Sequence, residues 1–188
     1  MVDRKKLLSI LDKQVKNKNI IKHMFAVEVC MVALAKRLKA DNEDEWALAG
    51  LMHDGDYRDD VLVEKQGIEI ADIMRKEAVE VSDSVAQAMA AHNRENTGVE
   101  PSSLMDWALF CCDSLTGLIV ACALVRPDRK LASVTVESVL KKFPDKRFAA
   151  GTRREEIKMS QEKLDIPLEE FVEICLKAMQ SISDDLGL

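Results

Sequence analysis

Apolar residues recur at helical spacing along almost the whole chain, and no segment alternates apolar and polar residues cleanly enough to make a strand. A chain of amphipathic helices has to bury each stripe against other helices, so the predicted fold class is all-α. Residues 4–15 form a short amphipathic helix. Residues 20–39 carry Ile20, Met24, Val27, Met31, Leu34 and Leu38 as one continuous stripe. Asp41-Asn42 breaks it, and the acidic residues from Glu43 open a third helix that ends at about His53. Residues 56–63 read as a charged loop. Residues 66–76 and 82–92 are two further helices, the second starting at a Ser-Asp cap. Residues 93–98 form a polar loop ending in glycine. Pro101-Ser102-Ser103 begins a long helix through Val125, which Arg126-Pro127-Asp128 ends. Then come a short helix near 133–142, a turn at Pro144, a loop around Gly151, and a charged helix over 152–163. A last helix opens at Pro167 and runs to about Leu186. Only Ser133–Val136 has extended character. Residues 1–125 are expected to form a helical core, and residues 126–188 a C-terminal helical extension capping it in one compact unit.

Composition narrows the function. Of 188 residues, 47% are hydrophobic, enough for a sizeable core. The net charge of -6 argues against bulk nucleic acid as a partner, because nonspecific binding to phosphate backbones needs clustered Lys and Arg. The N-terminus, Met-Val-Asp-Arg-Lys-Lys, has no apolar signal core. The most apolar stretch, Leu115–Val125, is about half a membrane span. No membrane association is expected, and the localisation expected is cytoplasmic. The cysteines (Cys30, Cys111, Cys112, Cys122 and Cys175) are odd in number and lack CxxC spacing, so they read as small buried hydrophobes. A homo-oligomer stays open.

Against this apolar background a few polar residues are out of place. His53-Asp54 stands at the polar end of the run Leu48-Ala-Gly-Leu-Met. Asp113 lies inside Leu-Phe-Cys-Cys-Asp-Ser-Leu-Thr-Gly. A buried lone carboxylate costs several kcal/mol unless it is paired. The three histidines sit near these carboxylates in helical order: His23 in the second helix, His53 ending the third, His92 ending the fifth. Imidazole plus carboxylate is a ligand set for Zn, Fe, Mn, Ni or Co, and helical bundles build such sites from residues on facing helices.

The order His23 … His53-Asp54 … Asp113 resembles the HD-domain metal-dependent phosphohydrolases. Lys22-His23-Met24, Ala49-Gly-Leu-Met-His53-Asp54 and Asp113-Ser-Leu-Thr-Gly-Leu-Ile119 match that family's motifs over about residues 15–125. Arg126-Pro-Asp-Arg-Lys and Phe148-Ala-Ala-Gly151 are similar to a subgroup of small HD-domain hydrolases. The resemblance implies an HD-domain helical bundle. It implies a divalent metal ion (Mn, Fe, Co, Ni, Zn or Mg) held by His23, His53, Asp54 and Asp113, with positions left for water and substrate. Two-metal members add two histidines between the His-Asp pair and the last aspartate. His92 matches the second of these, and Gln66 stands in the place of the first.

The activity so implied is hydrolysis of a small-molecule phosphate ester, a nucleotide among the candidates, by metal-activated water. Asp54 is a catalytic candidate as proton acceptor. Asp56 is another, as a water-polarising group or a partner for a histidine proton, with a turn-stabilising aspartate as the plainer reading. Gly55 is expected to allow a sharp turn after the pair. Arg58, Lys65 and Arg94 flank the expected site and are the candidates for binding substrate phosphate. The basic residues Lys141-Lys142, Lys146-Arg147 and Arg153-Arg154 read as solvated surface or, more sharply, as a phosphate-gripping edge of the cap. Gln66 keeps a rival open: a metal- or nucleotide-binding regulatory module without turnover. An oxygenase would need the full histidine set, and a plain helical scaffold would need no metal.

Overall fold

Each helix predicted from the periodicity is present, and five begin where the sequence supplies a side-chain cap. In a computed structural model describing residues 3–188, these are α1 (Arg4–Gln14) behind Asp3, α2 (Lys18–Arg37) behind Asn17, α5 (Asp83–His92) behind Ser82, α7 (Leu104–Leu124) behind Ser103 and α8 (Val136–Lys142) behind Thr135. At α7 and α8 the cap is reciprocal, with the Asp106 and Ser138 side chains returning to the cap backbone. The remaining helices are α3 (Glu43–Met52), α4 (Glu69–Lys76), α6 (Arg94–Thr97), α9 (Arg154–Leu164), α10 (Leu168–Gln180) and α11 (Ser183–Leu186). No strand occurs among the described residues, so the fold is all-α.

Three local expectations are corrected. The loop at 93–98 contains the single turn α6, closed by Gly98 at φ +71°. The last helix divides at Ser181, whose hydroxyl bonds the Ala178 carbonyl and competes with the helical ladder. The Ser133–Val136 stretch holds the end of a 3-10 turn (Leu131–Ser133) and the start of α8, not a strand.

The centre of the molecule is α7. It packs against α2, α5, α8, α9 and α10, and its Phe110, Leu115, Leu118 and Ile119 share one continuous core with Met24, Met31 and Phe171. At 21 residues it is longer than the apolar stretch read from sequence, and by length and composition it is able to cross a membrane; here 61% of its apolar window is buried inside the fold. The helices of residues 126–188 bury α9 on α7 and α10 on α2. All five cysteines are free and buried, as expected of small hydrophobes.

Two glycines without unusual dihedrals have opposite meanings. Gly50 lets α3 approach α2 closely: a Cβ there would stand 2.9 Å from the Glu28 Cα. Gly117, in the middle of α7, has nothing within 4 Å of a would-be Cβ. A mid-helix glycine costs about 0.5–1 kcal/mol relative to alanine, so packing does not account for it. Gly117→Ala is expected to raise stability by that amount, while Gly50→Ala lowers it by about 1–3 kcal/mol through overpacking. Urea unfolding of the two variants reads both signs.

Candidate metal centre

The packing of α3 against α2 and α5, and of all three against α7, brings five polar side chains to one place. His23 Nε2 lies 3.2 Å from His53 Nε2 and 2.9 Å from Asp113 Oδ1. Asp54 Oδ2 stands 3.5 Å from His53 Nε2 and 3.7 Å from His23 Nε2. The other Asp54 oxygen faces His92 Nε2 at 3.4 Å. Two triads converge, His23/His53/Asp113 and His53/Asp54/His92, with the ligand atoms of each within 4.8 Å of one another and His53 common to both. A divalent ion with bonds of about 2.1 Å separates neighbouring ligands by about 3.0–3.4 Å, the scale of these distances. The cluster is unevenly enclosed: His53 is fully buried, whereas the His23 side chain keeps 25% of its surface.

The other ring nitrogen of each histidine fixes its tautomer. His53 Nδ1 donates to the Gly50 carbonyl at 2.8 Å, and His92 Nδ1 to the Met89 carbonyl at 2.5 Å. His23 Nδ1 meets the Thr116 hydroxyl at 3.1 Å. That hydroxyl spends its only proton on the Asp113 carbonyl, so the imidazole is the donor. In the neutral form of each ring Nε2 is then the atom with the lone pair, and all three point inward. Two lone pairs 3.2 Å apart repel unless a proton or a cation lies between them. The residues present therefore fit a divalent ion, with the backbone and Thr116 setting ring orientation.

The electrostatics agree. At His23 burial works to lower the pKa, but the hydrogen bond and charge of Asp113, with Asp54, raise it. His92 is raised against burial in the same way by Asp54. His53, the most enclosed, is lowered to about 4 by burial. Burial would raise both carboxylates; His53 and His92 instead hold Asp54 at about 2, and His23 holds Asp113 well below the usual carboxylate range.

Other sequence candidates stand elsewhere. Asp56 is completely buried, and its two oxygens accept the backbone N–H groups of Gly67 and Ile70 at 2.8 Å each. It ties the turn after α3 to the start of α4, and so takes the plainer, turn-stabilising role. Gly55 does not have a positive φ; it gives clearance, since a Cβ there would stand 2.6 Å from Ile70 Cδ1. Arg58 is engaged with Gln14, Asp60 and Glu69. Lys65 lies exposed in a 3-10 turn at Val63–Lys65. Arg94 pairs with Glu100 and stacks on the Phe110 ring at 4.8 Å. None of these three contacts the His/Asp cluster. The Gln66 carbonyl accepts from Asn93, next to His92.

The cation at the site comes from the other half of the chain. Arg153 Nη2 lies 3.3 Å from Asp113 Oδ2, and its Nε lies 3.0 Å from Glu156. Burial pushes the Glu156 carboxyl up to about 7, against Arg153 and the Ser114 hydroxyl that bonds it at 3.0 Å. Arg154, which reads as surface, is buried and donates to the carbonyls of Phe143, Asp145, Phe148, Ala149 and Thr152. It holds rigid the loop that presents Arg153. The sequence signal for both was the basic pair itself, but spacing does not say which member faces Asp113.

Comparison with family models, with curated proteins and with solved structures finds no match to the chain.

Two outcomes follow from this geometry. His23 and His92, with raised values, stabilise the metal-free fold fully below pH 6.5, and that contribution is lost as pH rises through their folded values. Asp54 acts in the opposite sense, stabilising above pH 3.8 and losing the contribution as pH falls through about 2. Chelator-treated protein should lose thermal stability as pH rises above 6.5, while its affinity for Mn(II) or Zn(II) rises as those protons are displaced. Titration calorimetry showing affinity flat between about pH 6 and pH 8 would contradict this. Separately, Asp56→Ala orphans two buried N–H groups and should cost about 3 kcal/mol in urea unfolding. Asp56→Asn, which keeps one acceptor, should cost less.

Proposed function

We propose that this chain is a metal-dependent phosphohydrolase of the HD-domain kind, acting on the phosphate ester of a small molecule. One observation carries the reading: three imidazoles with Nδ1 committed elsewhere turn their Nε2 atoms toward two ionised carboxylates, across a site that an arginine closes. The resemblance of Lys22-His23-Met24, His53-Asp54 and Asp113-Ser-Leu-Thr-Gly to the family's motifs supports it.

His23, His53, Asp54 and Asp113 would hold a divalent ion, which when bound would supply Lewis acidity and bring the pKa of water toward neutrality. The chain supplies the rest. Asp54 spans the cluster, one oxygen toward the His23/His53 pair and the other toward His92. Asp54 is placed to take a proton from water, and His92 Nε2, 3.4 Å from its other oxygen, is placed to give one to a departing oxygen. Arg153 neutralises phosphoryl charge, held in place by Glu156 and free to exchange its contact with Asp113 for one with the ester. Asp113 and Thr116 together hold the His23 ring, which fixes the open side of the site.

Purified protein should carry a divalent ion on elemental analysis and hydrolyse generic phosphate monoesters when loaded with Mn, Co or Ni. His53→Ala should lower kcat/KM at least about a hundredfold and empty the site of metal. Arg153→Ala should raise KM about tenfold with metal retained. Stoichiometric metal without turnover on a panel of nucleotides, sugar phosphates and aryl phosphates would favour the regulatory module instead. A metal-free protein whose stability ignores chelators would leave only a scaffold.

A further inference from the structure

Gly117 lies one helical turn after Asp113, on the same face of α7. It lines two hollows. On one side a cleft of about 450 Å³ is walled by Asp113, Ser114 and the loop Ala149–Arg153. On the other a cavity of about 500 Å³ reaches His23 and is walled by Ala26, Val120, Leu124 and Leu186. The two hollows flank the metal centre, since His23 and Asp113 touch at 2.9 Å. The exposed stripe of α7 passes from charged to apolar along this path: Asp113, Gly117, Val120, Leu124 at helical spacing. A mid-helix glycine that nothing packs against stands where the two hollows meet.

We infer that the substrate lies across Gly117, with its phosphate at Arg153 and the metal centre and an apolar organic group in the cavity between α2, α7 and Leu186–Leu188. This inference rests on the phosphohydrolase reading and narrows its substrate class to monoesters of apolar alcohols or phenols. The lining supports that class. Of its polar side chains, Thr116 is already bonded to His23 and Asp113, and Lys22 donates to the Leu186 carbonyl at 2.8 Å. Asn19 and the remaining Lys22 protons are too few to satisfy the hydroxyls of a sugar or polyol, which would be stripped of water there. The glycine keeps the passage open, because any side chain at position 117 would project into it.

Non-hydrolysable phosphonates separate binding from turnover. With Mn(II)-loaded protein, (1-naphthylmethyl)phosphonate should bind at least about tenfold tighter than methylphosphonate by calorimetry, from apolar burial. The 2,3-dihydroxypropyl phosphonate should gain nothing over methyl. Gly117→Leu should abolish the naphthyl advantage with metal content kept and the thermal midpoint no lower than that of the unaltered protein, since leucine is a good helix former and meets open space. Equal binding of the naphthyl and methyl compounds by the unaltered protein overturns the inference, whatever the variant does. So does an undiminished naphthyl advantage in folded Gly117→Leu. If the ranking holds but no ester in the panel is hydrolysed, the hydrolase reading fails and the apolar subsite stands. If esters are hydrolysed without regard to their organic group, the subsite fails and the hydrolase reading stands.

Discussion

Two imidazole nitrogens facing each other at 3.2 Å, each on a ring whose other nitrogen is already a donor, cannot rest that way without a positive charge between them. Much of the site follows from that constraint. The carboxylates of Asp54 and Asp113 are held ionised in an enclosed place because histidines face them. His23 is raised because they face it in return. Whether a proton or a divalent ion sits among them, the cluster is one electrostatic unit. No member of it can be altered without changing the protonation of the others.

The fold serves this unit by distance. Gly50 removes the Cβ that would hold α3 off α2, and so lets His53 reach His23. Asp56 is spent on two backbone N–H groups, which fixes the turn behind His53-Asp54 against α4. Arg154 gathers five carbonyls of the preceding loop, so that Arg153 arrives at Asp113 from a rigid support. Asp56, a catalytic candidate in the sequence, and Arg154, which reads there as surface or a phosphate-gripping edge, are here structural fastenings. The buried polar group that costs most to leave alone is the one tied to the most backbone.

What could be read from the one-dimensional order was the helical class, the core role of the cysteines and the identity of the five clustered side chains. The first two rest on local period and composition, which do not depend on how helices are arranged. The third rests on charge being out of place: a carboxylate within Leu-Phe-Cys-Cys or after Leu-Met-His needs a partner, wherever that partner comes from. The resemblance then ordered them.

The tertiary structure decided which cations belong to the site and which do not. Arg58, Lys65 and Arg94 are near the His-Asp pair or His92 along the chain, yet Arg58 and Arg94 turn to carboxylates of their own and Lys65 to solvent. Arg153 is 40 residues from Asp113 and meets it only because α9 packs along α7. Likewise Gly117 reads as a flaw in a helix until the hollows on either side of it are seen. Helical period tells which residues a helix turns inward; it carries no information about which distant helix will stand opposite. That choice is made by packing over the whole chain, and the chemistry of the site depends on it.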